Sequence, residues 1–486
     1  MKLFSSSYFF LTVVLLQLCL WVVVKYDPFF GDSIASTSKA ALAIYDSGFQ
    51  TVFYPEAIDP GHPTLYPLLM ALCWSIAGPY LWVSHLVSVC CMLFLLWSLR
   101  KCCMLFVPLP FANIAVLLSC CFATTISMSA MMLNTTLLMA FCLMVIYALV
   151  TEKRRLFMVV ASAMMLVHLQ AAYFLLALAA ADCWITIRQD KQTIGYWIKI
   201  IWLKYTLPFA VFMVWLWMHY QHTGWLLHSP NYSDSASVKG VGSFVKSLVL
   251  IAWRLVDYGM LPVHCITAIA LFRKKVNNKL AAVFCILLLV TSVIMAFTLE
   301  HTIGHRYFLV FQLLSIGIAV SYLAQLKSAS FIISICLVLI GLVAGNFLSY
   351  PGKTLGDATL AYRSYFAIEK QLEQEHGNME MYSYAPIANP PRSKWLTEGG
   401  LPISRIVADS LNSYPVILQS NVNAEFASEQ RMYLEKNWYG KSYERGAVYV
   451  NIFLNPKYYQ KPEGWVLRKP SWIEQQVTDV KNKIGR

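Results

Sequence analysis

Five acidic side chains crowd into one polar loop near the start of the chain, residues 25–63: Asp27, Asp32, Asp46, Glu56 and Asp59. Only 11 Asp and Glu residues occur before residue 352, so nearly half of the carboxylates in that region lie in this loop. A carboxylate can take a proton from a hydroxyl group and act as a general base. The loop is therefore the strongest candidate for acid–base chemistry in this sequence.

Asp32 directly precedes an amphipathic pattern. Apolar and small side chains recur at helical spacing (Ile34, Ser38, Ala41, Leu42, Tyr45), and polar ones fall between them (Ser33, Thr37, Lys39, Asp46). The pattern predicts a helix lying at the membrane interface, with Asp32 at its start. An Asp in that position is also a good helix cap, so capping and catalysis are both open interpretations of Asp32.

The same loop ends in the sequence Gly-His-Pro-Thr-Leu-Tyr, residues 61–66. A histidine can donate a hydrogen bond to a phosphate, which makes His62 a candidate, and Pro63 fixes the start of the helix that follows. The alternative is that His62 is a loop residue with a local hydrogen bond.

A second polar cluster, residues 300–307, lies much later in the chain and places an arginine at the mouth of an apolar segment. Arg306 presents a planar fork that matches phosphate oxygens, and His305 and Tyr307 flank it. The alternative is that Arg306 and Tyr307 only anchor a helix end at the interface.

Membrane helices must position these residues. Of the 486 residues, 58% are hydrophobic and 13% are charged, and soluble domains usually carry about 25% charged residues. Apolar runs at 8–24, 281–298 and 331–347 are long enough to cross a bilayer. The first run is not followed by a cleavage-site pattern, so we interpret it as a retained anchor.

The net charge of +13 does not indicate nucleic-acid binding. Before residue 352 the chain has 21 Lys and Arg against 11 Asp and Glu, and the basic residues cluster in short loops, as the positive-inside rule expects. If these clusters are cytoplasmic, the chain crosses the membrane about eleven times. The same requirement, that every basic cluster be cytoplasmic, predicts an in-plane or re-entrant helix over 64–77 and two short helices broken near His168.

The thirteen cysteines lie in or beside apolar runs, and none follows Cys336. No CxxC or other metal-type spacing is present, so we interpret these thiols as small apolar packing groups. Spacing alone thus assigns no metal ligands.

Composition changes abruptly after residue 350. The tail begins with a helical pattern at 358–376 and continues with strand-like runs at 415–418 and 447–454. We therefore divide the chain into a membrane domain, 1–350, and a small α/β domain, 351–486. Aromatic residues of the tail either stack on glycans or form its core: Tyr382, Tyr384, Trp395, Trp438 and Tyr439.

The order of these features resembles the GT-C glycosyltransferases, in particular the branch with the protein O-mannosyltransferases and the lipid A aminoarabinose transferase. The sequence from Gly31-Asp32-Ser33 to His62-Pro63-Thr64-Leu65-Tyr66 is similar to the opening signature of that family, and Arg306-Tyr307 to its late Arg-Tyr. The resemblance covers residues 8–350 and predicts an all-α polytopic membrane fold. Ser33 and Thr64 depart from the family pattern, and Asn134 stands where the family often has an Asp.

The resemblance implies transfer of a sugar from a polyprenyl-phosphate carrier to an extracytoplasmic glycan, lipid or protein, with inversion. Asp32 is then the general base, and His62 and Arg306 bind the donor phosphate together with His305 and Tyr307. Glu56, Asp59, Asn134 and Tyr66 are possible substrate-binding residues. A divalent metal is a possible cofactor. The implied location is the bacterial inner membrane, with the site and the tail outside the cytoplasm.

Two other classes fit a polytopic chain. Transporters place ionisable groups at the bilayer midplane and show repeated halves, whereas this chain has no repeat and few charged candidates within its apolar runs: Asp182, Arg254 and Asp257. A non-catalytic assembly factor of the cell envelope is the third class. Consumption of a polyprenyl-phosphate sugar distinguishes the first class from the other two.

Overall fold

The structure, a computed structural model, describes residues 8–54, 59, 61–189, 194–227, 240–298, 303–347, 359–377, 379–383, 403–405, 411–422, 428–446, 448–470 and 475. A π-helical turn, Ile34–Lys39, leads into α2, and a 3-10 turn, His305–Phe308, leads into α14. In chain order the helices before residue 350 are α1 (Phe9–Val24), α2 (Ala40–Asp46), α3 (Leu65–Ala77), α4 (Leu81–Cys103), α5 (Leu109–Cys120), α6 (Ala123–Ala130), α7 (Asn134–Val150), α8 (Arg154–Met165), α9 (Ala171–Gln189), α10 (Ile194–Thr223), α11 (Val241–Val256), α12 (Leu261–Phe272), α13 (Asn278–Thr298), α14 (Leu309–Leu323) and α15 (Ser328–Gly345).

The chain is an integral membrane protein. Within the described ranges, 5 helical stretches are long and apolar enough to cross a bilayer: α4, most of α9, α13, the 3-10 turn with α14, and α15. The number rises to 7 if the bent pairs α5 with α6 (69°) and α11 with α12 (97°) each form one span. That is fewer than the roughly eleven predicted crossings. Helices shorter than the hydrocarbon thickness, such as α1 and α7, contribute to the difference.

Two predicted interruptions occur in the structure. Helix α3 has 13 residues, about 20 Å of rise against a hydrocarbon core of about 30 Å, as expected for an in-plane or re-entrant helix. Helices α8 and α9 are separated by residues 166–170, which confirms the predicted break near His168.

The helix after Asp32 is more buried than its pattern predicted. Ser33 and Thr37, expected on the polar face, are fully buried, whereas Asp46 is exposed as expected. The first six helical residues form a π-helix, whose wider turn moves side chains off the 3.6-residue period used for the prediction. Helix α2 also packs against α3. The assignment of Ser33 and Thr37 to a water-facing side was therefore wrong.

Helix α14 is the most enclosed of the predicted spans. With the preceding 3-10 turn it is 94% buried, and it packs against α4, α5, α7, α12 and α15. Its N-terminal end carries His305 and Arg306. Two ionisable side chains are thus placed inside the helical packing, where a charge needs a partner.

The tail contains a small mixed sheet. Strands β1 (Met381–Ser383), β2 (Ile403–Arg405), β3 (Val416–Ser420), β4 (Tyr439–Arg445) and β5 (Val448–Leu454) lie in the order β2-β1-β3-β5-β4. The first two pairings are parallel, and β3-β5 and β5-β4 are antiparallel. Helix α16 (Ala361–His376) packs on β4 and β5, and α17 (Ser428–Asn437) packs on β4. The helix predicted at 358–376 and the strands predicted at 415–418 and 447–454 are confirmed.

Aromatic residues of the tail contribute to its own core. Trp438 is buried in a cluster with Leu434, Ile417 and Phe453, and Tyr382 packs against that cluster. Tyr439 is half-buried at the start of β4. Tyr384 and Trp395 lie outside the described residues. Trp438 and Tyr382 therefore follow the core interpretation rather than the glycan-stacking one.

The chain divides into two compact units. One comprises Met1–Tyr26 and Ala35–Phe347, and the other comprises Asp27–Ile34 and Leu348–Arg486. The eight-residue segment that carries Asp32 thus belongs to the same unit as the C-terminal sheet. Nothing in the sequence pattern had separated this segment from the membrane domain.

Candidate active site

Arg306 lies on the 3-10 turn that begins α14. Only 7% of the residue is exposed, although a guanidinium normally faces water. Its Nη2 donates a hydrogen bond of 3.0 Å to the Tyr307 hydroxyl, and its guanidinium carbon lies 4.9 Å from the centroid of the Tyr307 ring. Tyr307 therefore orients the guanidinium group, whose planar fork suits phosphate oxygens.

The neighbouring imidazole of His305 braces this turn. His305 is fully buried, and its Nε2 lies 2.7 Å from each carboxylate oxygen of Asp257. Because that nitrogen faces a carboxylate, it carries the hydrogen and donates it. Nη1 of Arg254 lies 3.7 Å from the same carboxylate, and Nε of Arg254 donates to the carbonyl of Ile303 at 3.2 Å. These contacts hold the residues that directly precede Arg306.

Asp257 can reach this turn because it comes directly after α11, at the 97° bend before α12. Tyr258 and Gly259 adopt left-handed backbone conformations there, with φ of 48° and 83°. A Cβ on Gly259 would collide with the backbone of Gly341 in α15. Glycine is therefore required at 259, and the close packing holds the bend that places Asp257.

The loop before His62 is held by a second buried carboxylate–imidazole pair. Asp59 Oδ1 accepts the backbone N–H of Gly61 at 2.7 Å, and Asp59 Oδ2 lies 2.9 Å from Nε2 of His219 on α10. Asp59 and His219 are 0% and 1% exposed. Gly61 has φ of 76°, and a Cβ there would lie 3.0 Å from the Trp225 ring. The conformation that presents His62 is thus fixed from both sides.

His62 meets the break between α8 and α9. Its ring centroid lies 3.8 Å from that of His168, and the N–H of Leu65 donates to the carbonyl of Leu166 at 3.0 Å. The N–H of Gln170 donates to Nδ1 of His168 at 3.1 Å, so in the neutral ring the hydrogen is on Nε2. Burial, then the nearby His62 and Arg306, lower the pKa of His168 well below its usual value. His168 is therefore a neutral donor.

Three donors consequently converge in the membrane unit: His62, His168 and Arg306. The sequence singled out His62 and Arg306 for phosphate binding, and it identified His168 only as the position of a helix break. An ionisable residue next to an expected break in a membrane span is the signal that could have identified His168 as a donor. A buried cation beside imidazole donors can stabilise an anion that develops next to it.

Asp32 lies in the other compact unit and is itself exposed, whereas Phe30, Ser33 and Ile34 around it are buried. Gly31 before it has φ of 57°, a conformation that favours glycine. The Ser33 hydroxyl accepts the N–H of Phe30 at 3.0 Å and donates to the carbonyl of Phe30 at 2.9 Å. The turn is therefore shaped by its neighbours, and the carboxylate of Asp32 is presented toward solvent.

The remaining predicted residues are in different settings. Asn134 begins α7, which packs against the Arg306 turn, and its buried Nδ2 has no hydrogen-bond partner among the described residues. Tyr66 is fully buried in the first turn of α3. Asp59 is committed to Gly61 and His219. Glu56 lies outside the described residues.

The described ranges contain no group of three or more His, Cys, Asp or Glu side chains placed to hold a metal ion. All thirteen cysteines are free thiols. The described side chains therefore assign no ligands for a divalent metal, and its involvement stays a prediction.

The short, interrupted helices match the all-α polytopic membrane fold expected from the GT-C resemblance, and the small mixed sheet matches the α/β domain predicted from the composition of the tail. The chain is similar to the crystal structure of ArnT from Cupriavidus metallidurans bound to undecaprenyl phosphate, with a TM-score of 0.56 over 92% of this chain and 98% of ArnT, at 11% identity. The apo structure of the same ArnT gives a TM-score of 0.55 over 91% of this chain and 97% of ArnT, at 12% identity. No family model and no curated protein matches the chain.

The similarity extends almost end to end in both chains, so it includes the tail as well as the helices. The predicted all-α polytopic membrane fold with a small C-terminal α/β domain is confirmed. At 11–12% identity the similarity establishes the fold alone. The chemistry has to be argued from this chain's own side chains.

Proposed function

We propose that this protein is a glycosyltransferase that moves a sugar from a polyprenyl-phosphate donor to an extracytoplasmic acceptor with inversion. The observation that carries the proposal is the convergence of His62, His168 and Arg306, in a chain with the fold of ArnT. One ArnT structure is bound to undecaprenyl phosphate. A buried cation flanked by imidazole donors is an environment that stabilises a departing lipid phosphate.

The leaving group is stabilised as the bond between the anomeric carbon and the phosphate oxygen breaks. The electron pair of that bond goes to the phosphate, and its charge grows toward that of a free phosphate monoester. Arg306 offers its fork to the non-bridging oxygens, and His62 and His168 donate hydrogen bonds. These donors are placed before reaction, and the burial of Arg306 and His168 strengthens their contacts in the transition state.

Asp32 supplies the other half of the reaction. It takes the proton from an acceptor hydroxyl while that oxygen attacks the anomeric carbon from the face opposite the phosphate. One C–O bond forms as another breaks, so the configuration of the sugar inverts. The exposure of Asp32 supports this role, because an incoming acceptor has to reach the carboxylate.

The other candidates have supporting roles in this proposal. His305 and Asp59 hold the turns next to Arg306 and His62. Tyr307 orients the guanidinium group. Asn134 orients bound substrate through its amide, and Tyr66 and Glu56 contact substrate. The donor is a membrane lipid, and the acceptor is an envelope glycan, lipid or protein on the outer side of the bacterial inner membrane.

Lipid and glycan mass spectrometry on a deletion strain tests the proposal. We expect a polyprenyl-phosphate sugar to accumulate and one envelope modification to disappear. Wild-type protein and the Asp46→Asn control should restore both, since Asp46 is an exposed acid on α2. Asp32→Asn should restore neither. A deletion strain whose lipids and glycans are unchanged would instead favour a transporter or a non-catalytic assembly factor.

A further inference from the structure

Helix α16 of the tail presents three aromatic side chains on one face. Tyr362, Tyr365 and Phe366 follow the i, i+3, i+4 spacing that places side chains together on a helix. The ring of Phe30 lies among them, with centroid distances of 5.8, 5.9 and 5.6 Å, and Phe30 is 3% exposed. A residue from the first loop therefore completes the aromatic packing of a helix more than 300 positions later.

A polar contact fixes the same segment a second time. Asp27 Oδ2 accepts a hydrogen bond of 3.0 Å from the Tyr362 hydroxyl and lies 2.9 Å from Nε of Arg363. The side chains of Arg363 and Asp27 are 41% and 17% exposed. The ion pair is partly screened by water, so it sets the register of the segment more than it stabilises it.

Little freedom separates these anchors from Asp32. Gly31 lies between Phe30 and Asp32 in a left-handed conformation, and the Ser33 hydroxyl bonds both backbone groups of Phe30. The N–H of Ile34 donates to the carbonyl of Gly31 at 3.1 Å. Displacement of Phe30 or Asp27 is therefore transmitted to the Asp32 carboxylate within one turn of backbone.

We propose that the C-terminal domain positions the general base: Tyr362, Arg363 and the aromatic face of α16 hold the segment Asp27–Ile34 in the conformation that presents Asp32. The inference rests on the proposed function. Phe30, Asp27, Tyr362 and Arg363 are positioning residues in this scheme, because they act on the reaction through Asp32. The tail is thus part of the transferase machinery, although its own side chains perform no chemistry.

The test uses full-length protein in detergent. Arg363→Met keeps the side-chain stem and removes the charge. We expect kcat to fall roughly threefold to tenfold, as for loss of a partly exposed ion pair, with the KM for donor within about twofold of wild type. Phe30→Ala removes the buried ring, and its kcat should fall at least about tenfold. Arg363→Lys keeps the charge and should recover part of the loss.

A matched control lies on the same helix. Glu375 accepts hydrogen bonds from Lys441 at 2.9 Å and from Tyr443 at 2.6 Å, so these bonds tie α16 to β4. Glu375→Gln breaks an ion pair of α16 and should leave kcat unchanged. If Arg363 had only a structural role, Arg363→Met and Glu375→Gln would both lower the thermal midpoint, and neither would lower kcat.

Amide hydrogen exchange gives a readout independent of turnover. The N–H groups of Phe30, Ser33 and Ile34 are bonded within the segment. Their exchange should accelerate in Arg363→Met and Phe30→Ala and stay unchanged in Glu375→Gln. The inference is overturned if Arg363→Met and Phe30→Ala both show wild-type amide exchange and wild-type kcat.

The two proposals can fail separately. If Asp32→Asn stops transfer while Phe30→Ala and Arg363→Met transfer at the wild-type rate, the proposed function stands and the positioning role falls. If Asp32→Asn transfers at the wild-type rate, the assignment of Asp32 as base falls, and with it a positioning role for α16 in the reaction.

Discussion

Arg306 lies on a buried turn that is held by a carboxylate–imidazole pair. Asp32, in contrast, is an exposed residue on a turn that is shaped by a left-handed glycine and a serine hydroxyl. The first belongs to the membrane unit and the second to the unit with the C-terminal sheet. In the proposed reaction these two turns serve the leaving group and the acceptor. The buried setting of Arg306 suits the leaving group, and the exposure of Asp32 suits the acceptor.

A leaving phosphate is stabilised best by donors that are fixed and shielded from water. A general base has to be reached by an acceptor and has to keep a pKa at which it can be ionised, and both conditions favour contact with solvent. Changes on the buried side should therefore affect donor binding and folding along with turnover. Changes on the exposed side should affect turnover alone.

The largest effect is expected for Asp32→Asn. Asn caps a helix about as well as Asp but cannot accept a proton, so the variant should insert and bind donor normally while transfer slows by roughly 100-fold or more. Single-turnover transfer and donor affinity, measured with Asp46→Asn as the control, check this. Transfer above about a tenth of the wild-type rate would remove Asp32 from the mechanism.

A smaller but broader effect is expected for Arg306→Lys. The substitution keeps a positive charge and loses the planar fork, so both donor affinity and transfer should fall, by about tenfold each. Equilibrium binding of polyprenyl phosphate and the transfer rate are the measurements. Unchanged values for both would reduce Arg306 to a membrane anchor.

Asp59→Asn should act through the conformation of the His62 loop. The variant loses the charged partner of His219 and weakens the acceptor for the N–H of Gly61, at a cost of about 2 kcal/mol in stability. Donor affinity should fall severalfold as His62 loses its fixed position. Asp182→Asn is a matched control, because it breaks the Asp182–Lys204 pair of 2.7 Å elsewhere in the membrane unit. Equal donor affinities in the two variants would separate Asp59 from the site.

The smallest effect concerns the C-terminal sheet. Bonds from Lys441 and Tyr443 lower the pKa of Glu375 from 4.5 to about 2. A carboxylate whose pKa is lower in the folded state stabilises the fold above its unfolded pKa, and that contribution is lost as pH falls from 4.5 through about 2. Glu375→Gln should therefore lower the thermal midpoint slightly at pH 7 and less at pH 3. Equal shifts at both pH values would contradict the assignment. Glu435→Gln is the control, because Glu435 accepts a hydrogen bond of 2.7 Å from Arg431 on α17 instead.

Sequence patterns predicted the parts of the fold that depend on local chemistry. Apolar runs predicted the membrane helices, and the change of composition after residue 350 predicted the sheet domain. The break near His168 followed from the parity of basic loops. These features are set by hydrophobicity and charge along the chain, which the sequence displays directly.

Partnerships across the chain were not predictable in the same way. Asp59 and His219 are 160 positions apart, and Asp27 and Tyr362 are 335 apart. Their spacing carries no helical or strand period, so each residue alone resembled an ordinary loop or helix residue. The burial of Ser33 and Thr37 escaped prediction because a π-helix has a different period from the α-helix assumed.

Consumption of a polyprenyl-phosphate sugar by purified protein is the most direct test of the central claim. Protein in detergent is mixed with a panel of such donors and a delipidated envelope fraction as the source of acceptor, and released polyprenyl phosphate is quantified by mass spectrometry. We predict that one donor is consumed, that polyprenyl phosphate appears in equal amount, and that Asp32→Asn stops both. Folded wild-type protein that releases polyprenyl phosphate from no donor would contradict the assignment as a glycosyltransferase.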